Sequence, residues 1–363
     1  MISYSATWGN LGLKLPPRRF VRQEMAMLEL AEDLGFDAAW SAEHHFDANY
    51  CACPDNFLPL SYLAGRTRRI KLGLGAVILP WNDPVRVVEK LALLDHLSDG
   101  RLLVGLGRGL AKMEYAGFGI DMGTSRERFD EAAEMVVRGL RTGMVSGRGP
   151  FYEQAPVEVH PAPAPDLADR LYSVGMSPNS ALIAADLGAT LLCFVTGPIE
   201  EMAPLIHGYR ERFRERHGRD APPEVLVDFS YVHEDADQAA AVGRQYAGRY
   251  FESVVSHYDF DGTHFASTKG YEAYVEGAQA IRDAGLEAAT DAYVAPQAGI
   301  GTPEQVIEKF RRRREVIGPT SVMATFMYGA MPYDVAERSI RLFASDVMPE
   351  LRMLSELPTE VSA

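Results

Sequence analysis

Four short stretches of this chain carry residues that could do chemistry, and each follows a run of strand-like apolar sequence. The first is Glu43-His44-His45-Phe46. Histidine gains and loses protons near neutral pH, which suits an acid or base. In extended backbone, adjacent side chains point to opposite faces, so only one of His44 and His45 faces a site. Two hydrogen-bonded loop histidines are the competing reading. Adjacent histidines do not easily share an ion, and no His-Glu-x-x-His spacing follows, so no metal is expected. The second stretch, LGLGAVILPWNDP from Leu72 to Pro84, puts Gly73 and Gly75 inside a strand. Glycine there marks a bulge or the close approach of a backbone or ligand, although a barrel interior that needs small residues suffices to explain it. The third, Gly105 to Leu110 (GLGRGL), combines backbone N–H groups free to approach an anion with the guanidinium of Arg108. Its G-x-G-x-G spacing is not the dinucleotide-binding fingerprint, and no long helix begins directly after it. The fourth, Met176-Ser177-Pro178-Asn179-Ser180, reads as a capped helix start. Such a start also aims N–H groups and hydroxyls at any anion beyond it. Arg108 and this turn follow neighbouring strands, so both can reach one phosphate.

The elements that must hold these residues alternate regularly. Strand-like runs occupy residues 2–8, 38–42, 70–79, 102–106, 171–175, 190–195, 225–232 and 321–326. Amphipathic helical patterns fall near 21–34, 57–66, 85–97, 125–142, 179–187, 199–216, 235–257, 303–316 and 334–351. Pro84, Pro178 and Pro303 stand at first helical positions behind the N-cap candidates Asp83, Ser177 and Thr302. Strict alternation argues for parallel strands joined by crossover helices, and eight is the number at which such a sheet closes into a (β/α)8 barrel. Alternation alone does not exclude an open, doubly wound sheet. Two stretches break the rhythm. Residues 144–169 read as an excursion crossing the barrel rim, and about 258–302 as a lid over the mouth. The expectation is one domain over residues 1–363, with its insertions at the C-terminal rim.

Bulk properties exclude several classes of function. With a net charge of −14, the surface repels phosphate backbones and anionic membranes. The run Arg311 to Arg314 lies in a helical pattern and reads as a solvated face. Three cysteines, Cys51, Cys53 and Cys193, make no disulfide framework and fit a reducing cytoplasm. No signal peptide or membrane-length apolar run is present, so a cytoplasmic protein is expected.

The runs GFDAAWSAEHHF, GLGAVILPWNDPVR, LLDHLSDGRLLVGLGRGL and FASDVMPEL resemble, in order and over essentially the whole chain, the luciferase-like flavin-dependent monooxygenases. The likeness is greatest to the α subunit of bacterial luciferase. The resemblance implies a TIM-like barrel that binds FMN in reduced form, supplied by a separate NAD(P)H-dependent flavin reductase. That flavin reacts with O2 to a C4a-hydroperoxide, which oxygenates a small organic substrate. By the same resemblance His44 is the catalytic acid or base and His45 its neighbour. Gly75 and Ala76 form a cis peptide beneath the flavin ring, and Arg108 holds the phosphate. Met176, Ser177 and Ser180 hold the ring edge and the phosphate.

The chain departs from luciferase where that enzyme has a reactive cysteine, here Gly107, and lid lysines, here Gly277 and Ala280. Aldehyde specificity and light emission are therefore not expected, and the substrate is read only as small and apolar. Phe260, Phe265, Tyr271 and Tyr274 offer the lid an aromatic surface, or simply pack. A homodimer is a family expectation. A deazaflavin-dependent oxidoreductase and a non-catalytic flavin-binding subunit stand as alternatives.

Overall fold

Apolar runs too short for helices, and nearly free of polar residues, form strands buried on both faces. The computed structural model, which describes residues 1–9 and 14–356, has eight of them in the barrel. They are β1 (Ile2–Ala6), β2 (Ala38–Ser41), β3 (Lys71–Leu74), β4 (Leu102–Gly107), β5 (Leu171–Val174), β6 (Thr190–Phe194), β7 (Val225–Phe229) and β8 (Ser321–Thr325). Each pairs in parallel with the next, and β8 pairs back with β1, Val322 opposite Ile2. This last pairing is the closure that alternation could not establish. The fold is a (β/α)8 barrel.

Around it run α1 (Pro17–Asp33), α2 (Phe57–Arg66), α3 (Pro84–Leu97), α4 (Ser125–Thr142), α5 (Pro178–Leu187), α6 (Ile199–His217), α7 (Ala236–Tyr258), α8 (Pro303–Ile317) and α9 (Tyr333–Leu342). Asp83, Ser177 and Thr302 cap α3, α5 and α8 as their sequences predict, each side chain accepting a backbone N–H from the first turn. Alternate strand residues feed two cores. Trp40, Leu103, Leu192, Val225, Val227 and Met323 fill the barrel interior. Tyr4, Leu72, Leu102, Val104 and Val322 pack outward under the helices. Trp40 explains Gly73: a β-carbon there would lie 2.1 Å from the indole ring. At Gly105 it would lie 1.9 Å from the Leu74 carbonyl oxygen. Strand β3 breaks at Gly75–Ala76, whose peptide bond is cis. It resumes at Val77–Ile78, which pair with Leu106 and Gly107 of β4.

Both interruptions of the strand–helix rhythm contain regular elements of their own. Within 144–169 the chain does not simply cross the rim. Met144–Arg148 and Glu153–Glu158 form an antiparallel hairpin along α4. Glu131 of α4 accepts the backbone N–H groups of Phe151 and Tyr152, and Gly149 packs where a β-carbon would fall 2.0 Å from the Glu131 carboxyl group. The segment after α7 is largely helical. It contains the helices Val275–Ala284 and Leu286–Val294, then the short strand Ile300–Gly301, which pairs with Tyr231–Val232 beyond β7. Among the described residues no helix is long and apolar enough to cross a membrane.

Candidate active site at the carboxyl ends of the strands

Parallel barrels carry their chemistry at the C-terminal ends of the strands. Directly after β2, the side chains of His44 and His45 diverge, as extended backbone requires. The His45 ring meets Trp81 and Phe118 edge-on. The His44 ring meets Tyr50, His257 and Tyr258. His44 Nδ1 lies 3.0 Å from Glu114 Oε1, and the backbone N–H of His45 donates to the same oxygen at 2.7 Å. Glu114 sits on the short helix Lys112–Gly117 after β4 and is 1% exposed. Burial pushes its carboxyl pKa up, but hydrogen bonding and charge from His257 and His44 outweigh this and bring it down to about 2. An ionised carboxylate only accepts, so the His44 nitrogen facing it carries the hydrogen.

His257, at the end of α7, is fully buried and lies between two carboxylates. Its Nδ1 is 3.4 Å from Asp47 Oδ2, and its Nε2 is 3.5 Å from Glu114 Oε1. The second separation is at the limit for a hydrogen bond, and by strict geometry Nε2 has no partner. We therefore treat it as an electrostatic contact. The other nitrogen of His44, Nε2, faces the Tyr258 hydroxyl at 3.4 Å, which is 3.0 Å from the Tyr50 hydroxyl, to which Tyr250 donates at 3.2 Å. Sequence reading found His44 and His45 but missed nearby Tyr50, and it missed Glu114, His257 and Tyr258 because 70 to 214 residues separate them from His44. His44, Glu114 and His257 offer donor atoms within 4.8 Å of one another, so together they could hold a cation, which spacing along the chain did not indicate.

A second cluster forms where β4 and β5 end. Ser177 Oγ accepts the Ser180 N–H and lies 3.0 Å from Ser180 Oγ, at the N-terminus of α5. Arg126, in the first turn of α4, donates from Nη2 to Ser180 Oγ at 3.3 Å, while its buried Nε has no partner. Burial first, and the neighbouring Arg108 charge second, hold the Arg126 guanidinium below its usual range. Two adjacent cations, an unused donor and a helix N-terminus are what a phosphate dianion would satisfy. The residues present thus fit the phosphate end of a flavin nucleotide. Arg126 escaped sequence reading, yet it left a signal: the helix dipole disfavours a cation in the first turn. Met176 is placed differently, its sulfur accepting the Phe194 backbone N–H at 3.2 Å. Beside Gly75, the Ala76 carbonyl accepts from the buried amide of Asn56 at 3.1 Å.

The segment after α7 lies over this second cluster. Arg108 donates to the Gly270 carbonyl at 2.7 Å and lies 3.9 Å from the centre of the Tyr271 ring. Phe260, Phe265, Tyr271 and Tyr274 pack with Tyr115, so these aromatics form a small core of their own. At the rim, Phe46, Met113 and Phe118 remain partly exposed beside His45 and Trp81. The cysteines take no part. Burial pushes the thiols of Cys53 and Cys193 up to about 12 and raises that of Cys51 as well, leaving them inert.

The closed barrel carries a histidine–carboxylate pair at its mouth, and comparison with known proteins names the family. The chain belongs to the luciferase-like monooxygenases, whose family model matches residues 2–320. It is 27% identical over 359 residues to the alkanal monooxygenase alpha chain of Photorhabdus laumondii subsp. laumondii, covering 95% of this chain and 98% of that one. It is 28% identical over 337 residues to limonene 1,2-monooxygenase of Rhodococcus erythropolis, covering 91% and 81%. The crystal structure of the monooxygenase RslO1 from Streptomyces bottropensis superposes with a TM-score of 0.81 at 27% identity, covering 97% of this chain and all of that one.

Proposed function

We propose that this protein is the oxygenase of a two-component system, using reduced FMN from a separate NAD(P)H-dependent reductase, and O2, to oxygenate a small apolar molecule. The observation that carries this reading is the cluster of Arg126, Ser180 and Ser177 at the N-terminus of α5, with the Arg108 charge close enough to act on Arg126. A terminal phosphate monoester carries close to two charges, which two guanidinium groups match. Reduced flavin, when bound, supplies the electrons that activate O2. The protein's own residues do the rest. Arg108 and Arg126 hold the phosphate, and Gly75 and Ala76 border the ring. His44 moves a proton through Nε2, the nitrogen that Glu114 leaves free. The segment 259–302 acts as a lid that excludes water, and the aromatic rim of Phe46, Trp81 and Phe118 favours an apolar substrate. Neighbouring helices α2 and α3 expose Leu58, Tyr62, Leu93 and Leu97, which supports a homodimer through that face.

The test is rapid mixing of protein loaded anaerobically with reduced FMN against oxygenated buffer, followed by flavin absorbance. The expected result is a long-lived species distinct from both reduced and oxidised flavin. Direct reoxidation, or tight binding of reduced deazaflavin with none of reduced FMN, would overturn the proposal.

A further inference from the structure

The polar chain around His44 is more than a support for one histidine, because it runs from the mouth of the barrel to the surface. We propose that Glu114 is a positioning residue for His44, and that His257 and Asp47 connect this pair to solvent as a route for protons. The inference rests on the flavin-dependent reading only for its effect on turnover.

Three elements build the chain: the loop after β2 supplies His44, Asp47 and Tyr50, the helix Lys112–Gly117 supplies Glu114, and α7 supplies Tyr250, His257 and Tyr258. The groups facing His44 are Glu114 and His257 on one side and Tyr50 and Tyr258 on the other. Glu114 Oε1, 3.0 Å from His44 Nδ1 and held in place by the His45 N–H at 2.7 Å, fixes the His44 hydrogen on Nδ1, so the neutral ring presents a lone pair at Nε2. Tyr50 stacks on the His257 ring, with centroids 4.3 Å apart, and keeps it edge-on to both carboxylates. The fully buried His257 is closed off from bulk solvent, whereas the Asp47 side chain is 18% exposed.

Proton transfer along this order balances. His44, protonated on both nitrogens, gives its Nδ1 proton to Glu114 Oε1. His257, in the tautomer with hydrogen on Nδ1, takes that proton at Nε2 and releases its own from Nδ1 to Asp47, which passes it to water. His44 and His257 each end neutral with the hydrogen on Nε2, Glu114 ends ionised, and one proton has reached solvent. When His44 then gives up its Nε2 proton, the chain run in reverse returns a proton to Nδ1 and restores both resting tautomers. The link between Glu114 and His257 is the longest, 3.5 Å, and therefore the step most exposed to perturbation.

Two substitutions separate the roles. Glu114→Gln removes the carboxylate and keeps the volume. His257→Gln keeps an N–H donor near the position of Nε2 but cannot pass a proton on. In the free protein, a downfield proton signal from the His44 Nδ1–H is expected in the wild type and in His257→Gln, and lost in Glu114→Gln. Its exchange with solvent is expected to slow at least tenfold in His257→Gln. In turnover, Glu114→Gln should lower kcat by 10- to 1000-fold with flavin binding changed less than twofold. His257→Gln should fall less, shift its pH profile, show a solvent deuterium effect absent from the wild type, and recover with millimolar imidazole. Unchanged exchange and no response to imidazole would overturn the route, and a His44 signal surviving Glu114→Gln would overturn the positioning role. If Glu114→Gln does not fold, Glu114→Asp replaces it: the signal should persist, shifted, and its loss would count against the pairing. The exchange measurement needs no flavin, so it decides the inference even if reduced FMN proves not to be the cofactor.

Discussion

Glu24 lies on α1 with no solvent exposure, and neither of its carboxyl oxygens has a hydrogen-bond partner. Desolvation raises its pKa from 4.5 to about 8, so the folded protein keeps a proton that the unfolded chain has released. Between those two values stability falls by roughly 1.4 kcal/mol per pH unit, and it is level with respect to this group on either side. From pH 5 to pH 7.5 the loss from Glu24 comes to about 3 kcal/mol. Glu24→Gln removes the titration but leaves a buried amide with its own cost, so the informative quantity is the slope with pH and not the absolute stability. Denaturant unfolding of both proteins at pH 5, 6, 7 and 7.5 measures it. The stability difference between variant and wild type should move by about 3 kcal/mol in favour of the variant across that range. Glu114, brought down to about 2, contributes stability above its unfolded value that is lost only as pH falls from about 4.5 to 2, so it does not interfere in this window. A difference that stays constant from pH 5 to 7.5 would refute the argument, showing that Glu24 is hydrated or paired in solution.

Other expectations follow from the same geometry. Arg126→Ala should weaken binding of reduced FMN by about 10- to 100-fold, the worth of a charge-assisted hydrogen bond, while riboflavin, which lacks the phosphate, is unaffected; anaerobic titration by fluorescence checks both. His44→Ala should leave flavin binding nearly intact and collapse product yield, and unchanged turnover would remove the histidine from the reaction. Gly73→Ala drives a β-carbon to 2.1 Å from Trp40 and should cost about 1–3 kcal/mol or more, partly recovered when Trp40→Leu is added, as thermal unfolding of single and double variants would show.

Much of the barrel was legible along the chain because its signals are local. Each strand is a short buried run, each cap is a side chain three residues from the N–H it accepts, and Pro84, Pro178 and Pro303 mark their helix starts without reference to any neighbour. The stretch 144–169 was misread for the converse reason. Its hairpin lies against a partner on another element, Glu131 of α4, a contact that the local sequence does not announce.

The candidate site divides along the same line. Sequence alone determined that a histidine pair, a glycine-rich turn bearing Arg108, and a capped helix start follow the second, fourth and fifth strands, and that the barrel rule gathers them at one end. Only the tertiary structure decided which groups act together. Closure of β8 onto β1 brings the end of α7 across to the loop after β2, so that His257 and Tyr258 meet a histidine more than two hundred residues away. The pairing of β2 through β5 tucks Glu114 beneath His44 and sets Arg126 against Ser180. The carboxyl of Glu114 shows why this could not be read earlier. Its charge depends on burial and on two imidazoles from other elements, and neither exists until the barrel has closed.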